Sequence, residues 1–172
     1  SPDASRGRYF FFCSSVPSMT MPIPPMPLLV PMIERNTGDA SHSADEQAVQ
    51  MGMHHDGIHF YPLSHDSNNG LLVMNHEYTD DGLLHPGGLN PWTADKVKKS
   101  QAAHGVAVIE VASKDGQWQM VRPSRFARRF TGNTPFAIGG PCAGHALMKT
   151  AVDPQGVLAL GTLNNCASGM TP

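Results

Sequence analysis

An all-β fold is the class this sequence predicts, and three observations predict it. Short β-type runs are joined by tight turn sequences, only two segments carry helix-start chemistry, and charged residues make up 15% of the 172 residues. About a quarter is typical of a free-standing globular domain. The deficit points to turns rather than charged helix faces at the surface, or to edges covered by more protein.

Taken in order, residues 1–41 read as an extended arm. Pro17, Pro22, Pro24, Pro25, Pro27 and Pro31 fall within it. Each proline fixes φ and removes a backbone donor, so a helix or a central strand is excluded there. Arg6 and Arg8 precede the apolar stretch Tyr9-Phe10-Phe11-Phe12-Cys13, but Ser14, Ser15 and Pro17 follow at once. That stretch is too short for the core of a signal peptide, and the segment reads as mature sequence. Ser43-Ala44-Asp45-Glu46 has capping-box spacing and predicts a short helix through about Gln50.

Residues 58–63 and 71–75 are β-type runs joined by Ser64-His65-Asp66-Ser67-Asn68-Asn69-Gly70, which is turn chemistry throughout. Thr93 is a good N-cap for a second helix to His104, with Gly105 as its stop. Residues 106–111 alternate, Lys114-Asp115-Gly116 signals a hairpin, and residues 118–121 return. A last pair of strands is expected at 146–152 and 157–163, split by the turn Asp153-Pro154-Gln155-Gly156. Hairpins at this spacing fit a sandwich, a barrel or a propeller, and no crisp repeat chooses among them.

A net charge of −2 argues against a nucleic-acid surface. No apolar run reaches the length of a membrane span. Cys13, Cys142 and Cys166 are odd in number, so at least one is free, liganded or paired elsewhere. The histidines His54, His55, His59, His65, His76 and His85 raise metal binding as a question without answering it.

Three constellations could carry chemistry. Met51-Gly52-Met53-His54-His55-Asp56-Gly57 could present a carboxylate on a tight turn, or be a loop of exposed imidazoles. Asn75-His76-Glu77-Tyr78 ends an apolar run, and polar groups at a strand terminus project from a rigid support. It is not a zinc-protease helix, because a second histidine four residues on is missing; Glu77 is a possible oxygen ligand for a hard cation. In residues 161–169 (GTLNNCASG), Cys166 follows a β-type run beside two carboxamides, where a thiolate could be a nucleophile, a metal ligand or inert.

Read together, five blocks identify a family. Residues 47–63 (QAVQMGMHHDGIHFYPL), 70–78 (GLLVMNHEY), 99–110 (KSQAAHGVAVIE), 134–145 (TPFAIGGPCAGH) and 161–172 (GTLNNCASGMTP) resemble, in order, the PhoX-type alkaline phosphatases. The resemblance runs from near residue 42 to the end. It implies a bacterial enzyme exported by the twin-arginine route to the periplasm or the extracellular space. It further implies a β-propeller that hydrolyses phosphomonoesters at an iron pair associated with calcium ions. Carried over by motif, Cys166 resembles the thiolate bridging the irons, and Glu77 a carboxylate ligand of the same cluster. Asn165, Asp56 and His76 are expected beside them, either contacting phosphate or supporting the ligands. Arg128 and Arg129 could meet a phosphate, but a solvated or structural role is the expectation.

The sequence departs from the family pattern in two places. Residues 18–36 lack its Pro-x-Gly-Tyr and Trp-Gly elements, and no site is drawn from them. After Thr171-Pro172 the family continues with a Trp-Gly-Thr segment and a Cys-Glu-Glu-Asn block. Residues 42–172 are therefore expected to be an incomplete first portion of the propeller, neither stable nor active without the remainder of the polypeptide. The opposing expectation is a non-catalytic propeller scaffold that keeps a calcium ion. A third is a self-contained histidine-rich metal-binding domain.

Overall fold

The computed structural model of the protein describes residues 39–170. The proline-rich segment, Cys13 and most of the expected arm lie outside the described residues. The chain divides into two compact units, which among the described residues are 39–134 with 161–170, and 135–160.

The first unit is built on five antiparallel strands. β1 (His55–Pro62) pairs with β2 (Asn69–His76), and β2 pairs with β3 (Gly105–Lys114) over eight registered positions, from Asn69↔Ala112 to His76↔Gly105. The far edge of β3 is shared. β4 (Gln117–Met120) pairs with its second half and β5 (Arg128–Phe130) with Val106 to Val108. The Asp115-Gly116 turn has φ of 53° and 76° at the two residues, the left-handed pair that matches strand twist in a two-residue hairpin. β2 and β3 carry the core, with Leu71, Met74, Val106, Ala107, Val108 and Ile109 buried. Each of the buried Leu, Met, Val and Ile side chains contributes about 1.5–3 kcal/mol.

Three helices complete this unit: α1 (Ala44–Gln47), α2 (Asp81–Leu84) and α3 (Ala94–Ala103). Both halves of the α1 capping box form, with Ser43 Oγ accepting from Glu46 N–H and Glu46 Oε2 from Ser43 N–H. Thr93 caps α3 through Lys96 N–H. Gly105 does more than end α3. At φ +109° a Cβ there would lie 2.0 Å from the Phe130 carbonyl oxygen, so only glycine lets β5 approach β3.

Two polar devices tie these elements together. Arg129 on β5 spends all five guanidinium N–H groups on main-chain carbonyls, those of Gln50, Val106, Phe130, Ala102 and His104. Burial lowers its pKa to about 10, which still leaves it charged at neutral pH. The structural role expected for it is the one observed. In the second device, Asp81 Oδ1 on α2 accepts from Thr79, Ser100 and the buried His85, closing α2 onto α3.

Residues 135–160 form a small unit. β6 (Pro135–Ala137) pairs with β7 (Leu158–Leu160). The turn expected at Asp153–Gly156 is present, with Gly156 N–H donating to Asp153 O at 3.1 Å. The strand expected at 146–152 is not. Ala146–Met148 is a 3-10 turn capped by His145 Nδ1, and β7 takes β6 as its partner. Among the described residues no helix is long and apolar enough to cross a membrane. Among the described residues the structure is mostly antiparallel sheet with few helices and no closed barrel.

Candidate metal centre

A bulge near the start of β1 sets the first donor. The β1–β2 register shifts between Asp56 and His59, with Gly57 at φ +41°. Bulges of this kind re-aim a side chain. Asp56 Oδ1 accepts from the Gly57 N–H at 2.7 Å, and this bond is the chief reason its carboxyl sits below the usual range; the Cys166 thiol adds to it.

Glu77 stands one residue beyond β2. Its N–H donates to the His54 carbonyl at 3.1 Å, so the chain stays paired past the strand end. Side chains alternate across a strand, which puts Glu77 on the face of Asn75 and leaves His76 on the other. The cross-strand partner of Asn75 is Asp56, so the two carboxylates share that face.

Cys166 arrives on residues 161–170, which have no regular secondary structure and are placed by individual bonds. Gly161 N–H donates to Thr134 O at 2.7 Å, and Asn164 Nδ2 to the Glu77 carbonyl at 3.3 Å. Asn75 Nδ2 donates to the carbonyls of Cys166 and Ala167 at 3.1 and 3.2 Å. Cys166 Sγ then reaches Asp56 Oδ2 at 3.2 Å.

One ligand atom from each of Asp56, Glu77 and Cys166 lies within 4.8 Å of the others. They form the single three-donor group of His, Cys, Asp and Glu among the described residues. Asp56 and Glu77 push the thiol up to about 11, first by the Asp56 hydrogen bond and then by charge. As a neutral thiol Cys166 donates to Asp56; a cation bound here would take the place of that proton and neutralise the carboxylates beside it. The donor set suits a hard cation that also tolerates a thiolate, so the residues present fit the metal the sequence led us to expect.

The other expected residues fall as follows. Asn165 precedes Cys166, with its Oδ1 accepting from Thr162 Oγ1. His76 is fully buried, its ring beside His55, and neither ring nitrogen has a hydrogen-bond partner. Burial, with Arg129 and His55 close by, lowers its pKa to about 3 and keeps it neutral. The histidine-rich stretch gathers no three-donor group among the described residues: His54 stacks on Tyr78, His59 meets Tyr61, and His85 is held by Asp81. Arg128 donates to the carbonyls of Arg125 and Phe126.

Sequence reasoning passed over Asn75 and Gly57 as working parts. The signal for Asn75 was a carboxamide ending an apolar run, which becomes legible only once the β1–β2 register is known.

The family model for "Alkaline phosphatase PhoX" matches residues 31–172. No curated protein matches the chain. A solved structure of Pseudomonas fluorescens PhoX in complex with vanadate, a transition state analogue, shares 45% identity with it at a TM-score of 0.73. That match covers 78% of this chain and 23% of the solved one, so this chain corresponds to under a quarter of that protein's length. With the family model spanning residues 31–172 and a solved relative at 45% identity, the chain belongs to the PhoX alkaline phosphatase family.

Proposed function

We propose that this chain supplies part of the catalytic centre of a metal-dependent phosphoester hydrolase, an alkaline phosphatase acting on phosphomonoesters. The observation that carries the reading is the convergence of Asp56, Glu77 and Cys166. The metals are an iron pair with associated calcium, the protein is periplasmic or extracellular, and the sheet is part of a β-propeller. The remainder of the polypeptide is the partner that brings further ligands. When bound, the cations neutralise phosphoryl oxygens and activate an oxygen nucleophile.

On this reading Glu77 and Cys166 are ligands, and Asp56 adds a carboxylate oxygen beside them. Cys166 is not the nucleophile. A reactive thiolate needs cationic side chains or a helix N-terminus nearby, whereas this thiol faces two carboxylates that raise its pKa. Asn165 has its Oδ1 engaged by Thr162, which leaves the amide N–H groups to contact phosphate. His76 acts from the opposite face of β2 as a packed neutral support rather than as a phosphate contact. Vanadate, with which the Pseudomonas protein was solved as a transition state analogue, is consistent with phosphoryl chemistry at such a centre.

The test is metal analysis of the full-length protein with aryl phosphate hydrolysis before and after chelation. Iron and calcium with chelator-sensitive turnover is the expected result. Calcium alone without turnover would establish the scaffold instead.

A further inference from the structure

Cys166 lies on a segment without helix or strand, yet its sulfur must sit within reach of two carboxylates on a rigid sheet. Something has to fix its main chain. The Asn75 side chain is buried, with 7% of the residue exposed, and its single NH₂ group donates to two successive carbonyls, those of Cys166 and Ala167. Gly57, on the paired strand, makes the seat deep enough. A Cβ at Gly57 would come 2.5 Å from Asn75 Nδ2 and 2.6 Å from the Cys166 oxygen. Both contacts are closer than real Cβ atoms approach, so a side chain there displaces the Cys166 segment or the amide that holds it.

We propose that Asn75 is a positioning residue for Cys166, its amide clamping the Cys166–Ala167 main chain in the seat that Gly57 leaves open, so that the sulfur faces Asp56 and Glu77. This rests on the reading of those three residues as metal ligands. Asn75 touches neither metal nor substrate; it acts by setting where the sulfur is. A carboxamide suits the task because it offers two N–H groups from one nitrogen, one for each carbonyl. A carboxylate of the same shape would repel both. Alanine leaves two carbonyls without partners and the segment free to swing.

The same strand provides a control. Asn69, at the other end of β2, also makes two side-chain bonds, to Glu110 Oε1 at 3.1 Å and Val111 O at 3.3 Å, but reaches no donor of the centre. Loss of either asparagine removes two bonds from one strand, and only one of the two losses reaches the sulfur.

The experiment is cobalt(II) titration of the metal-stripped full-length protein, followed by the near-ultraviolet thiolate-to-cobalt charge-transfer band, with thermal melts to confirm folding. Groups that orient metal ligands typically contribute 10–100-fold in metal affinity. Asn75→Ala should therefore weaken cobalt binding roughly ten-fold or more and diminish the band, while Asn69→Ala titrates like the wild type. Gly57→Ala, which keeps the amide but fills the seat, should reproduce the Asn75→Ala result and serves if that variant does not fold. Wild-type affinity and band in Asn75→Ala would overturn the proposal, as would an equal loss in Asn69→Ala. A wild-type protein with no thiolate band would instead sink the ligand reading beneath it.

Discussion

Arg129 sits among carbonyls with no carboxylate partner in any of its five hydrogen bonds, an uncommon use of a guanidinium. Its planar fork reaches the end of α3, the start of β3, the Gln50 turn and its own strand at once, which lysine's three donors cannot do. Arg129→Met should cost about 3 kcal/mol or more, because it leaves buried carbonyls unpartnered. Urea unfolding of the full-length protein checks this, and a loss within about 0.5 kcal/mol, the range of an ordinary surface substitution, would contradict it. The centre uses charge in the opposite way. Asp56 accepts from the Gly57 N–H and the Cys166 thiol, and one ligand atom of Glu77 lies within 4.8 Å of both side chains, so anionic oxygens and a sulfur face one another. Glu77 and Cys166 were singled out in the sequence because they stand in long, irregular motifs. Asp56 was legible as a group near them, but not as the residue that meets the sulfur. Asn75 was not legible, because its role depends on a loop ninety-odd positions away returning to the strand (Cys166 and Ala167 are 91 and 92 residues on).

Among the elements, those with a local chemical cause were the ones the sequence revealed. The α1 capping box, the Thr93 cap, the Asp115-Gly116 hairpin and the Asp153–Gly156 turn each depend on residues within four positions of one another. β5 and β6 were missed since each is three residues long and exists only through its pairing with a distant strand. The strand expected at 146–152 failed for a local reason instead: His145 Nδ1 accepts from Leu147 N–H and closes a 3-10 turn there. In that unit Asp153 Oδ2 accepts from both Val157 and Leu158 N–H at 2.7 Å, and these backbone bonds hold its carboxyl below the ordinary 3.8. A carboxyl that binds its proton more weakly folded than unfolded stabilises the fold fully above the ordinary value. That stabilisation is lost as pH falls through the lowered one. Amide exchange protection at Val157 and Leu158 should therefore hold steady down to about pH 4 and collapse below it. Asp153→Asn should lower the protection at pH 6 and flatten its acid dependence; protection unchanged in that variant would contradict the assignment.

At the scale of the molecule, the five-stranded sheet offers one face to the centre's support and another that is incompletely covered. Phe60, Leu72, Val111 and Trp118 line an open apolar hollow on it, with Trp118 55% exposed. The mostly antiparallel β character was readable from turn chemistry, whereas the strand order was not, because it depends on pairings between residues far apart in the chain.

The most direct test of the account is X-ray absorption at the iron edge of the full-length protein, wild type and Cys166→Ala. A sulfur neighbour of iron in the wild type, lost together with iron loading in the variant, is the result expected. An iron shell of oxygen and nitrogen alone, or a Cys166→Ala protein that keeps its iron and its phosphatase activity, would contradict it.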